Sequence, residues 1–190
     1  MGQLSTLWLT TTLLALTLPA SLLAADSGLA IVSDAKLPAA AVLALQELEE
    51  ALAGRGVKVE RRDATKTDGI REIVVGLASE SPEVQRQLTQ RKLTLAALPE
   101  SLLVHHVDQR RLLIAGRDAR GLAFALRDVA RSVACAPPGG DGLAAVRDVA
   151  ESPFLGMRTL SVHLFNSDLE ASWYFDEPYW KAYFSMLSRH

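Results

Sequence analysis

Two rhythms of apolar and polar positions alternate between Gly28 and Cys135, and each marks an element. Leu29-Ala30-Ile31-Val32 is a short apolar run of strand type. Val42, Leu45, Leu48 and Leu52 then recur at helical spacing, with Gln46, Glu47, Glu49 and Glu50 on the other side. Pro38 stands where a first helical turn tolerates a missing N–H, and Gly54 and Gly56 end the helix. Val57 to Glu60 alternates like a half-buried strand. Ile73-Val74-Val75 is a β-branched run suited to a central strand covered on both faces. Ser81-Pro82-Glu83 supplies an N-cap, a first helical residue and an acidic first turn for a short helix over 82–90. Leu102 to Val107 and Arg111 to Ala115 flank Asp108-Gln109-Arg110 and predict a hairpin. Leu122, Leu126, Val129 and Val133 form the apolar stripe of a last helix. The order βαββ(α)ββα predicts an α+β fold: a small, largely antiparallel sheet with helices on one face.

Beyond Cys135 the pattern changes. Pro137 to Gly142 is turn and linker chemistry, and nine of the eleven aromatic residues fall at or after Phe154. Met157 to Phe165 reads as a strand, Asn166 to Trp173 as a polar and aromatic loop. Asp176 and Pro178 open a helix with Trp180, Tyr183, Phe184 and Leu187 on one stripe. One strand and one helix cannot bury that much aromatic surface. The tail therefore reads as the first βα unit of an incomplete (β/α)8 barrel, which needs eight such units and about 250 residues.

Charge separates the other end. Residues 1–25 carry no charged side chain, and all the Lys, Arg, Asp and Glu lie in 26–190. The apolar run Leu7 to Leu23, followed by Ala24 and Ala25, reads as an export signal, with a retained membrane anchor as its rival. The chain is thus expected to be periplasmic or extracellular. It divides into a signal peptide (1–25), an α/β domain (26–136), a linker (137–153) and the barrel opening (154–190). With 20 Lys and Arg against 22 Asp and Glu there is no basic excess to neutralise phosphates, which argues against nucleic acid as a partner. The single cysteine, Cys135, rules out an internal disulfide framework and reads as a small buried side chain near a helix end.

Little chemistry stands out in the α/β part. Gly116 and Gly121 have the spacing of a phosphate loop, but Leu122-Ala123 stands where Lys-Ser/Thr is required, so the glycines read as a sharp strand-to-helix turn. Arg117, Arg120, Arg127 and Arg131 read as a solvated helix face with nearby acids. His105 and His106 alternate across a strand, which predicts one packed and one exposed imidazole and no shared metal. No metal or cofactor is expected.

Leu112 to Leu126, with its strand, glycine turn and helix, resembles the signature of the N-terminal domain that precedes the catalytic barrel in family 20 β-hexosaminidases and family 67 α-glucuronidases. Val146-Arg147-Asp148, Ser152-Pro153-Phe154 and Met157-Arg158 resemble the bridge into the first barrel strand. The resemblance implies glycoside-hydrolase ancestry and carbohydrate as the substrate of the parent enzyme. It also places Arg158 at a sugar-binding position, with a structural salt bridge as the alternative. Asp168 and Glu170 follow the expected strand, at the end where barrel sites are built, and could bond a sugar or cap the loop. Trp173 could stack on a pyranose or anchor the loop to the helix. Glycosidic hydrolysis needs two carboxyls, or one plus a substrate acetamido group, across the bond at a set separation, and Asp168 and Glu170 are two residues apart on one loop and cannot straddle a sugar. The expectation is therefore an exported, catalytically silent portion of a glycoside-hydrolase-like protein. A non-enzymatic partner- or carbohydrate-binding module is the alternative, and self-association through the aromatic tail is expected in either case.

Overall fold

A computed structural model describes residues 28–33, 36–63, 70–159, 161 and 167–188. The expected export signal lies outside them.

Six strands form one sheet. They are β1 (Leu29–Ser33), β2 (Val59–Arg62), β3 (Arg71–Leu77), β4 (Leu102–His106), β5 (Arg111–Gly116) and β6 (Val149–Glu151), in the spatial order β2-β1-β3-β5-β4-β6. Helices α1 (Ala39–Ala53), α2 (Pro82–Arg91) and α3 (Ala119–Cys135) pack on it. The expected element order holds, and the domain is of the mixed α/β type. Strand direction differs from expectation. β2, β1, β3 and β5 are mutually parallel, and only β4 runs antiparallel to its neighbours β5 and β6. Apolar alternation reports which side chains are buried and is silent on direction, so it does not distinguish this mostly parallel sheet from the largely antiparallel one expected.

The pleat divides the core in two. Ile73, Val75 and Leu77 of β3, with Leu112 and Ile114 of β5, face α1 and α3, and the buried Leu45, Leu48, Leu52, Leu122, Leu126, Val129 and Val133 pack onto them. Val74, Leu103, Leu113 and Ala115 point the other way and pack with Val84 of α2. The two long helices share one face, and the short α2 covers the other, which corrects the one-sided arrangement. Each fully buried Leu or Val contributes about 1.5–3 kcal/mol, so the α1–α3 face supplies most of the stabilisation. α2 is fixed by its ends: the Ser81 hydroxyl accepts from the Val84 N–H at 3.4 Å, and Pro82 and Glu83 follow.

Residues 137–153, expected as a linker, are partly folded into the domain. Leu143 and Val146 are buried, and β6 adds an edge strand by pairing Val149 to Glu151 with β4. Cys135, expected to be buried, is exposed.

After β6 the packing changes. The strand expected over 157–165 falls partly outside the described residues, and 157–159 are not in a strand. The expected loop before Trp173 is instead helix α4 (Ser167–Tyr174), followed by α5 (Glu177–Leu187), which opens at Asp176 with Pro178 in its first turn as expected. These two helices pack on each other, and α5 meets the sandwich at its end, where the Ser188 carbonyl accepts from Arg127 of α3. α5 has no buried residue. No described helix is long and apolar enough to cross a membrane.

Candidate functional site

The turn from β5 into α3 organises the surface around it. Gly116 and Gly121 are glycines because backbone approaches them closely; neither has a positive φ. A Cβ on Gly116 would stand 2.2 Å from the Leu122 nitrogen, and one on Gly121 would stand 2.3 Å from the Ser101 carbonyl oxygen. Asp118 then caps α3, its Oδ1 accepting from the N–H groups of Arg120 (3.1 Å) and Gly121 (2.9 Å), while Oδ2 accepts from the Glu100 N–H at 2.8 Å. The first amides of the helix are thus satisfied by a carboxylate of the chain itself, in the place a phosphate would need.

Beside this turn, α1, α3 and the segment after β6 enclose an open groove of about 800 Å³, lined by Glu47, Glu100, Phe124, Arg127, Ser152 and Arg158 among others. Its cations are met by carboxylates. Arg127 pairs with Glu47 at 3.3 Å, Arg131 with Asp128 at 2.6 Å, and both Arg120 and Arg158 with Glu100. Arg120 and Arg131 are solvated and paired with acids, as expected; Arg127, expected on the same solvated face, is only 12% exposed. The Arg158 guanidinium also sits 5.7 Å from the centre of the Phe124 ring. Arg127 reaches the other way, donating to the Ser188 carbonyl at 2.6 Å and touching the end of α5.

Of the described side chains singled out for sugar contact, Arg158 alone lines the groove, and there it makes the ion pair offered as its alternative. Asp168 is exposed on α4 and does not line the groove. Glu170 lies on the same helix, and its side chain is outside the described residues. Trp173 packs within 5.2 Å of Tyr179 and 5.8 Å of Trp180, ring centre to ring centre, so it joins α4 to α5. Trp180 Nε1 donates to the Tyr174 carbonyl at 2.6 Å, closing the same corner.

His105 and His106 behave differently from expectation. Neither is fully packed or fully free; both meet the carboxylate of Asp148, His105 Nδ1 at 2.6 Å from Oδ2 and His106 Nδ1 at 2.7 Å from Oδ1. The His106 N–H donates to Oδ1 as well, at 2.9 Å. Asp148 immediately precedes β6, so its carboxylate stands at the edge of β4 and can meet the side chains of two consecutive residues. Burial pushes its pKa up. The His106 amide and ring and the charge of His105 outweigh that and hold it below the ordinary carboxylate range. Among the described residues no group of three His, Cys, Asp or Glu side chains is placed to hold a metal ion.

Sequence reasoning gives no site role to Glu100, Phe124, Glu47 or Asp148. Each acts on a residue far away in the chain, and no local spacing announces it.

No family model matches the chain, and no curated protein matches it. Solved structures do. A GH138 enzyme targeting pectin rhamnogalacturonan II superposes with a TM-score of 0.55 at 13% identity, over 85% of this chain and 22% of that one. CpGH84D matches with a TM-score of 0.44 at 14% identity, over 52% of this chain and 16% of its own. A GH115 4-O-methyl-α-glucuronidase with specificity for decorated arabinogalactans matches with a TM-score of 0.45 at 20% identity, over 55% of this chain and 13% of its own. The chain therefore spans less than a quarter of each of these proteins, and it resembles parts of glycoside hydrolases in fold at low identity.

Proposed function

We propose that this chain is the accessory α/β domain and the opening of the catalytic barrel of a larger, exported glycoside-hydrolase-like protein of carbohydrate degradation, of the family 20 or family 67 type. By itself it does not hydrolyse glycosides. One observation carries the reading: a finished α/β sandwich is followed by two helices whose aromatic surface is covered by nothing described. On the helices Phe184 is 60% exposed and Tyr174 41%, Phe175 between them is 81% exposed, and Phe154 ahead of them is 98% exposed. Surface of that kind is stable in water only when another element covers it. The likeness in fold to the GH138 enzyme supports the same reading. Residues 1–151 make up about four fifths of the chain, so a match over 85% includes part of the tail.

The covering elements, on this reading, are further strand–helix units of the barrel, which also carry the catalytic carboxyls. The reading frame downstream of the His190 codon is expected to continue into such units; unrelated sequence there would overturn the proposal. Purified chain is expected to show no turnover of chromogenic glycosides, and measurable turnover would contradict its silence. The same exposed face also favours a second reading, a non-enzymatic module whose α4–α5 surface docks on a separate partner chain. A downstream frame without strand–helix units, together with a stable complex that buries Trp173 and Trp180, would favour it.

A further inference from the structure

The α/β domain holds the start of the tail through one arginine. Glu100 is the receiving group. Its backbone has φ +59, a left-handed conformation that is unfavourable for a residue with a side chain. The conformation is held by the hydrogen bond from its N–H to the capping carboxylate of Asp118. Its side chain is only 14% exposed, and its two oxygens are divided: Oε1 takes Arg120 at 3.0 Å, and Oε2 takes Arg158. Phe124, one turn along α3 from Arg120, presents its ring to the same guanidinium. Arg158 is thus gripped by a carboxylate and an aromatic face, both belonging to the sandwich.

We infer that Glu100 and Phe124 form an arginine lock that fixes residues 152–158 onto the sandwich after β6. β6 is only three residues long and lies at the edge of the sheet, so it is a weak anchor alone. Phe154, Leu155 and Met157 are exposed and contribute no buried apolar surface to hold the segment. The Arg158 contact therefore supplies the second attachment point, and Glu100 acts as a positioning residue through it. If the reading above holds, the lock sets the angle at which the chain enters the first barrel strand. The lock itself is a property of residues within this chain.

The test is limited chymotrypsin digestion of the full chain, reading cleavage after Phe154 by mass: a protease must draw several consecutive residues into its cleft in extended form, and the Arg158 contact holds the residues just after the exposed Phe154 against the sandwich. Glu100→Gln and Arg158→Gln are each expected to speed this cleavage by about three- to tenfold, the range for a partly exposed, charge-assisted contact. The double variant is expected to be no faster than either single one, because both remove the same contact. Arg120→Gln is expected to leave the rate unchanged, since Arg120 reaches Glu100 from α3 itself. Raising salt from about 0.05 M to about 0.5 M is expected to speed the parent but not Glu100→Gln. Unchanged cleavage in Glu100→Gln, or additive effects in the double variant, would overturn the lock. Should Glu100→Gln unfold, Phe124→Leu with the salt series on the parent decides the matter: an unchanged rate in both overturns it. None of these outcomes depends on the reading frame beyond His190, so failure of the lock and failure of the proposed function are told apart.

Discussion

Arg55, in the turn after α1, donates from Nε to the carbonyl oxygen of Val133 at 2.6 Å, across the C-terminal end of α3. The same guanidinium donates to the carbonyls of Pro137 (2.9 Å) and Ala136. The last carbonyls of a helix have no partner within it and carry its negative end, so a planar cation with several donors is well matched to them. One side chain thereby ties the two long helices together.

Replacing Arg55 with Met is therefore expected to destabilise the fold by about 1.5–3 kcal/mol, the range for hydrogen bonds to a charged group. Arg55→Lys should recover less than half of that, because a point charge cannot serve three carbonyls. Urea denaturation checks both, with the midpoint shifting and the slope unchanged.

Glu72 and Arg111 stand opposite each other in the β3–β5 register, and the carboxylate is 2% exposed. Arg111 donates to its Oε2 from Nη2 at 2.8 Å and from Nε at 3.2 Å. Arg111→Met removes two charge-assisted hydrogen bonds to a buried acid and is expected to cost about 1.5–3 kcal/mol. Glu72→Met combined with Arg111→Met should be less damaging than Arg111→Met alone. A thermodynamic double-mutant cycle measures the difference.

Gly121→Ala places a methyl group 2.3 Å from the Ser101 carbonyl oxygen and is expected to cost at least about 1–3 kcal/mol, with β4 displaced from α3. Gly54→Ala is the comparison. Its backbone is right-handed helical, and the new carbon would stand 3.4 Å from the nearest atom, so stability should change by less than about 1 kcal/mol. Thermal melts of the two variants separate a glycine required for close approach from one that is not.

Asp148 gives the domain an acid-sensitive edge. Its folded-state pKa is depressed, so its contribution is present in full above the unfolded carboxylate value and is lost as pH falls through the folded one. The stability advantage of the parent over Asp148→Asn should therefore shrink as the pH is taken from 5 downward. Urea midpoints of the two proteins along that series check the direction. A constant difference would mean that the carboxylate charge plays no part in the bond to His105 and His106.

The element order could be read from the residues because periodicity is a local property. Val42 to Leu52 can bury one stripe only as a helix, and Ile73-Val74-Val75 can be covered on both faces only as an inner strand. Ser81-Pro82-Glu83 announced its helix for the same reason: a cap is made within four residues. What lay beyond reach depended on partners distant in sequence. Parallel pairing of β3 with β1 and β5 is a choice between backbones that the side-chain pattern does not encode. The reason for Gly116 and Gly121 is likewise external to the turn, since the atoms they make room for belong to α3 and to Ser101.

The candidate site divides the same way. Its cations were legible as a helix face, because Arg120, Arg127 and Arg131 share one α-helical stripe. Their partners were not, because Glu47 is contributed by α1 and Glu100 by the turn before β4, 80 and 20 residues from the arginines they meet. Composition alone announced that the chain becomes a different kind of surface at Phe154, since aromatic content can be counted without coordinates. Only the tertiary structure decided that this surface stays open and that Arg158 is held by the sandwich: burial and ion pairing are relations between residues, and folding alone brings those residues together.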